Sequence, residues 1–175
     1  MANDNLKLKT IGIVGGMGPL AGVEFHRRLI QKFSADADHE YPEIIHLSKS
    51  REVPDRTSFL LGEEDFNPGF AIKNQIKILK ESGAEIFVVI CNTAHSPEIF
   101  KIYNTDGVVS IIKATLGSVV KSNLSKVGFV GTNGSFKTKI YEESLKVSGI
   151  KVKKLSPSEN EKYIHNSILF KRVWN

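Results

Sequence analysis

Thr10-Ile11-Gly12-Ile13-Val14-Gly15-Gly16-Met17-Gly18-Pro19 is the stretch that decides how the rest of the chain reads. Residues 10–14 have the length and continuous apolar character of a strand buried on both faces, the mark of a parallel sheet. The glycines that follow form a tight turn, and Pro19 suits the first turn of a helix. Leu20, Val23, Leu29, Ile30 and Phe33 then mark the face this helix is expected to bury.

The same alternation recurs downstream. Residues 44–47 read as a second strand, with Val53-Pro54-Asp55-Arg56-Thr57 in the loop beyond it. A helix is expected over about 68–82, with Gly83 as its stop. Residues 86–90 form a third strand and 108–111 a fourth, the latter leading into a helix near 113–122. Residues 127–130 form a fifth strand, followed by a helix over about 136–147; 150–155 is a sixth, followed by a last helix over about 157–170. Strand and helix alternating in this way predict an α/β protein, its parallel sheet flanked by helices. The pattern at 10–33 returns weakly at 126–147, as if duplicated. Ligands in such folds sit outside the carboxyl ends of the strands, so the loops at 15–19, 48–57, 91–97 and 131–135 share one rim.

Composition excludes several classes. The 175 residues are 41% hydrophobic and 25% charged, ordinary for a globular chain. No apolar run approaches a membrane span, and the first residues do not begin a secretory signal. One cysteine allows neither an internal disulfide nor a thiolate cluster, so a cytoplasmic setting is expected. The net charge of +5 is uneven: residues 1–105 carry 12 Lys/Arg against 14 Asp/Glu, and residues 106–175 carry 12 against 5. These lysines are scattered and lack a nucleic-acid motif, so no nucleic-acid partner is expected.

Three loops carry candidate chemistry. Gly16-x-Gly18-x-x-Ala21 matches the dinucleotide fingerprint, but the second strand ends at Leu47-Ser48-Lys49 without the acidic residue that would hold a ribose. A backbone nest for a carboxylate or phosphate, or a plain strand-to-helix turn, both fit. Arg56 offers a fork for a carboxylate, or a surface salt bridge to Asp55 or to Glu63-Glu64-Asp65. Cys91 ends a strand just before a helix capped by Ser96-Pro97, a position where a helix dipole favours an anionic sulfur. Asn92 and Thr93 flank it, and His95 is placed to orient the site or to accept a proton. A small buried hydrophobe is the plain alternative for Cys91. The five histidines show no metal-ligand spacing, so no metal is expected.

Taken together, the 11–19 string, Pro54-Asp55-Arg56-Thr57, Cys91-Asn92-Thr93-Ala94-His95, and 127–132 with Gly134-Ser135 resemble the aspartate/glutamate racemase family. The resemblance extends from residue 10 to about 168. It implies a cofactor-independent racemase of a small acidic amino acid, cytoplasmic and homodimeric, with no pyridoxal phosphate. It further implies two pseudo-symmetric lobes: residues 1–105, carrying the cysteine, and residues 106–175, incomplete. Cys91 would be the catalytic thiol. Arg56 would bind a substrate carboxylate, Asn92 and Thr93 the amino-acid head, and Met17, Gly18 and Thr132 would line the cleft.

Family members pair two thiols across the α-carbon. The second lies in a Gly-Cys-Thr-Glu-like motif that would fall beyond Asn175, so the chain is expected to be a C-terminally truncated member. Lys171 falls near the place where some members carry a lysine for the side-chain carboxylate. A non-catalytic or vestigial homologue that binds acidic amino acids is the alternative.

Overall fold

The computed structural model describes residues 8–170. Four parallel strands form the first sheet: β1 (Ile11–Val14), β2 (Ile44–Leu47), β3 (Ile86–Val89) and β4 (Val108–Val109), in the order β2-β1-β3-β4. Ile11 of β1 stands in register with Ile44 on one side and Ile86 on the other. β1 is the central strand, and the strands on either side lead back to it through crossovers. The loops after β1, β2 and β3 therefore emerge at one end of the sheet.

Helix α1 (Pro19–Ile30) follows the glycine turn. Gly16 and Gly18 have φ of +85° and +95°, a region that L side chains rarely adopt. A Cβ on Gly16 would also meet the backbone nitrogen of Ser50 at 3.0 Å. The face of α1 differs from the one expected. Gly22 is its buried residue, packed so closely on His46 that a Cβ would stand 2.8 Å from the imidazole Nε2. Leu20 and Val23 are more than half exposed. Close backbone approach sets the packing of this helix, which the apolar residues alone do not reveal.

Helix α2 (Arg56–Leu61) was not anticipated; the sequence read this stretch as loop. Asp55 caps it by accepting from the backbone N–H groups of Thr57 and Ser58 at 2.8 and 3.0 Å, and Gly62 ends it with φ +86°. Helix α3 (Pro68–Glu81) and helix α4 (Pro97–Tyr103) pack together against the sheet. The core between them holds Val14, Ile72, Ile76, Leu79, Phe87, Val89, Ile99 and Tyr103.

Helix α5 (Ile111–Lys121) leads to a second, two-stranded parallel sheet of β5 (Lys126–Phe129) and β6 (Lys151–Lys154). Between them the helix expected over 136–147 is two helices, α6 (Asn133–Thr138) and α7 (Ile140–Val147). They break at Lys139, whose φ is +51°. Residues 157–170 are helical, with a π-helical stretch at Asn160–His165. Leu145 and Ile150 are buried in this half. Its strands alternate exposed lysines with half-buried Val127, Phe129 and Val152. Lys171 lies outside the described residues. Among the described residues no helix is long and apolar enough to cross a membrane.

Candidate active site

The loops after β1, β2 and β3 meet the loop after β5 around a cleft of about 480 Å3. Met17, Gly18, Arg56, Cys91, Asn92, Thr93 and Thr132, all singled out in the sequence, line this one cleft. A larger depression, about 680 Å3, lies against β6 and is lined chiefly by lysines and backbone. It holds no thiol, hydroxyl or imidazole, so the chemistry directs attention to the smaller cleft.

Cys91 leaves the end of β3 half-buried, and its backbone N–H donates to the Val89 carbonyl at 3.0 Å. A 3-10 turn (Thr93–His95) lies between it and α4, which begins at Pro97 after Ser96, as the sequence leads one to expect. Ser96 is the N-cap residue of α4, yet its hydroxyl makes no cap bond and is buried without a partner.

His95 is not a proton acceptor beside the thiol. It is 4% exposed and stacks on Phe100, with ring centroids 5.2 Å apart. Both of its ring nitrogens are taken by backbone. Nδ1 lies 2.9 Å from the Cys91 carbonyl, and Nε2 receives the Ile111 N–H at 3.4 Å. Since Nε2 accepts, the proton sits on Nδ1 and the ring is neutral. Burial lowers its pKa below the usual histidine value and outweighs the opposing backbone bonds.

Arg56 opens α2 and is 8% exposed. One guanidinium nitrogen donates to the Pro54 carbonyl at 3.1 Å, and Nε has no partner. Among the described residues no carboxylate forms a salt bridge with it. The alternative of a surface ion pair with residues 63–65 is therefore not what the structure contains. A buried charge without a counter-charge costs several kcal/mol.

Three hydroxyls form a further part of the wall. Thr93 Oγ1 lies 3.1 Å from Thr132 Oγ1 and 2.8 Å from Ser135 Oγ, and Thr132 donates to Ser135 at 3.2 Å. Thr93 belongs to the first half of the chain and the other two to the second, so this triangle joins the halves. Gly134 sits at the closest approach: a Cβ there would stand 3.0 Å from Thr57 Cα and from Thr93 Cγ2. Behind the loop, the fully buried Asn160 donates to the Gly131 carbonyl and to Asn133 Oδ1 at 3.1 and 3.0 Å. Thr57 and Tyr141 also belong to this neighbourhood and were not singled out in the sequence. The Asp55 cap signal marks the former; nothing local marks the latter. Among the described residues no group of three His, Cys, Asp or Glu side chains gathers to hold a metal.

Parallel α/β units with a thiol and a guanidinium on one cleft are the features to set beside known proteins. Residues 14–172 match the family described as Asp/Glu/Hydantoin racemase, and the chain belongs to that family. Its fold is similar to that of Picrophilus torridus aspartate racemase, at TM-score 0.81 and 28% identity over 93% of this chain and 69% of that one. An aspartate racemase homologue from Pyrococcus horikoshii matches at TM-score 0.67 and 27% identity, over 94% and 71% of the two chains. Glutamate racemase from Francisella tularensis, solved with D-glutamate, shares the fold at 21% identity and TM-score 0.57, over 85% and 53%.

Proposed function

We propose that the cleft binds an acidic amino acid, aspartate or glutamate, and that Cys91 moves a proton at its α-carbon. The observation that carries this reading is the buried Arg56 guanidinium, with no carboxylate paired to it among the described residues, on the same cleft as the chain's single cysteine. Arg56 receives a ligand carboxylate in the bidentate manner for which guanidinium is suited. Asn92 and the Thr93–Thr132–Ser135 hydroxyls serve the remaining polar groups, and Met17 and Gly18 form the wall beneath.

In the forward step the Cys91 thiolate takes the α-proton, leaving a thiol and a carbanion whose charge spreads onto the carboxylate held by Arg56. Returning that proton restores the same enantiomer. Inversion needs a second donor on the opposite face, a role given to a second cysteine in the family mechanism. Residues 1–175 hold one cysteine, so acting alone they exchange the proton with retention. That single thiol also favours the second reading, a protein that binds acidic amino acids without exchanging them. Likeness to a protein named aspartate racemase supports aspartate as the first ligand to try. On this reading the protein is a cytoplasmic homodimer, for which Leu20 and Val23 on α1 offer exposed apolar surface.

Proton NMR in D2O tests the chemistry. Loss of the α-proton signal from L- or D-aspartate or glutamate, absent in Cys91→Ala, is the expected result. No loss with any of the four leaves the binding reading in its place.

A further inference from the structure

We propose that Tyr141 is a positioning residue that fixes the Asn92 amide as a hydrogen-bond donor to the ligand, so that the cleft selects an acceptor, a carboxylate oxygen, at that place. This rests on reading the cleft as an acidic amino-acid site and extends it to a residue that does not line the cleft itself.

The Tyr141 hydroxyl donates to Asn92 Oδ1 at 2.5 Å, across 49 positions of sequence and from the second half of the chain to the first. An asparagine amide has one acceptor and two donors on a nearly symmetric shape, and without an anchor it presents either side. Among the described residues no other hydrogen bond holds this side chain, and Asn92 makes no side-chain cap bond to the turn it precedes. With Oδ1 taken by the phenol, the Nδ2 hydrogens are what remain for a ligand. Burial raises the phenol's pKa and outweighs the opposing hydrogen bond from Thr115, which keeps Tyr141 protonated and donating through the neutral range. The ring is itself fixed, packed against Phe129 at a centroid distance of 5.5 Å, and Phe129 lines the cleft. The tyrosine therefore acts through Asn92, and only while the two halves stand together.

The test is a double-mutant cycle read by isothermal titration with L-aspartate and L-glutamate. Tyr141→Phe keeps the ring on Phe129 and is expected to weaken binding about 5- to 10-fold, the scale of one hydrogen bond. Asn92→Ala weakens it at least as much. The double variant binds no worse than Asn92→Ala, because the phenol has no effect except through the amide. Losses that add in full, or no loss from Tyr141→Phe, overturn the proposal. The Asn92 side-chain NH2 signals in nitrogen-edited NMR give a ligand-free readout. They shift and broaden in Tyr141→Phe if the phenol anchors the amide, and stay in place if it does not. Should the wild type bind neither amino acid, the carboxylate reading of the cleft fails. These signals then decide the Tyr141 anchor separately: unchanged signals overturn it, and shifted signals uphold it.

Discussion

The Nδ1–H of His95 donates to the carbonyl oxygen of Cys91 at 2.9 Å, tying the residue that carries the thiol to a ring buried under α4. His95 shapes the loop without taking part in proton transfer, and its burial makes the fold sensitive to acid. Its folded-state pKa is depressed, so the unfolded chain gains a proton near its ordinary value of 6.5 that the native state refuses. The stability present above that pH is lost as pH falls. His46, lowered by burial and by the neighbouring His26, acts with the same sign. Thermal melts between pH 7.5 and 5 are expected to show Tm falling with pH. His95→Asn keeps a donor for the Cys91 carbonyl and flattens the profile, leaving the His46 share. An unchanged profile contradicts this role for His95.

Arg56 gives a prediction in which stability and binding move in opposite directions. Replacing a buried, unpaired cation with an apolar side chain of similar length relieves its desolvation. Arg56→Met is expected to hold or raise stability by about 1 kcal/mol, roughly 2–4 °C in Tm for a chain of this size. The same variant loses about 100-fold or more in affinity for aspartate or glutamate, since it removes a charge-assisted bidentate contact. A marked fall in Tm would mean that Arg56 serves the fold and not a ligand.

Gly134 tests the junction of the two halves. Gly134→Ala places a methyl 3.0 Å from Thr57 Cα, backbone that cannot swing aside. Overpacking of this kind costs about 1–3 kcal/mol, and here it also pushes Thr132 and Ser135 away from Thr93. Weaker ligand binding together with a lower Tm is expected. Gly117→Ala is the control, because a Cβ there meets nothing within 4 Å and the position lies inside α5.

Much of the first sheet was legible because its strands are mostly apolar runs and proline or glycine opens or closes several of the helices between them. What escaped depends on contacts that local sequence does not encode. Helix α2 escapes because residues 53–57 read as loop and the short segment after them shows no apolar period, although the Asp55 cap and the Gly62 stop are both present. The break at Lys139 carries no glycine to announce it. The buried side of α1 is set by Gly22 against His46, a close approach that an apolar count does not detect. At the site, Arg56, Cys91, Asn92, Thr93 and Thr132 were legible chiefly because the short strings that hold them resemble those of the racemase family, and the strand ends then place them on one rim. Tyr141 lies on α7, and its contact with Asn92 appears only once the halves are assembled.

The most direct test of a thiol and a guanidinium serving one carboxylate ligand is the rate of Cys91 alkylation by iodoacetate against iodoacetamide. With one cysteine in the sequence, every label reports this site. The account predicts that the ratio favours iodoacetate by about tenfold or more over free cysteine, the scale of a close charge pair in a sheltered cleft. It also predicts that Arg56→Met abolishes the preference. A ratio equal to that of free cysteine, and indifferent to Arg56→Met, would contradict it.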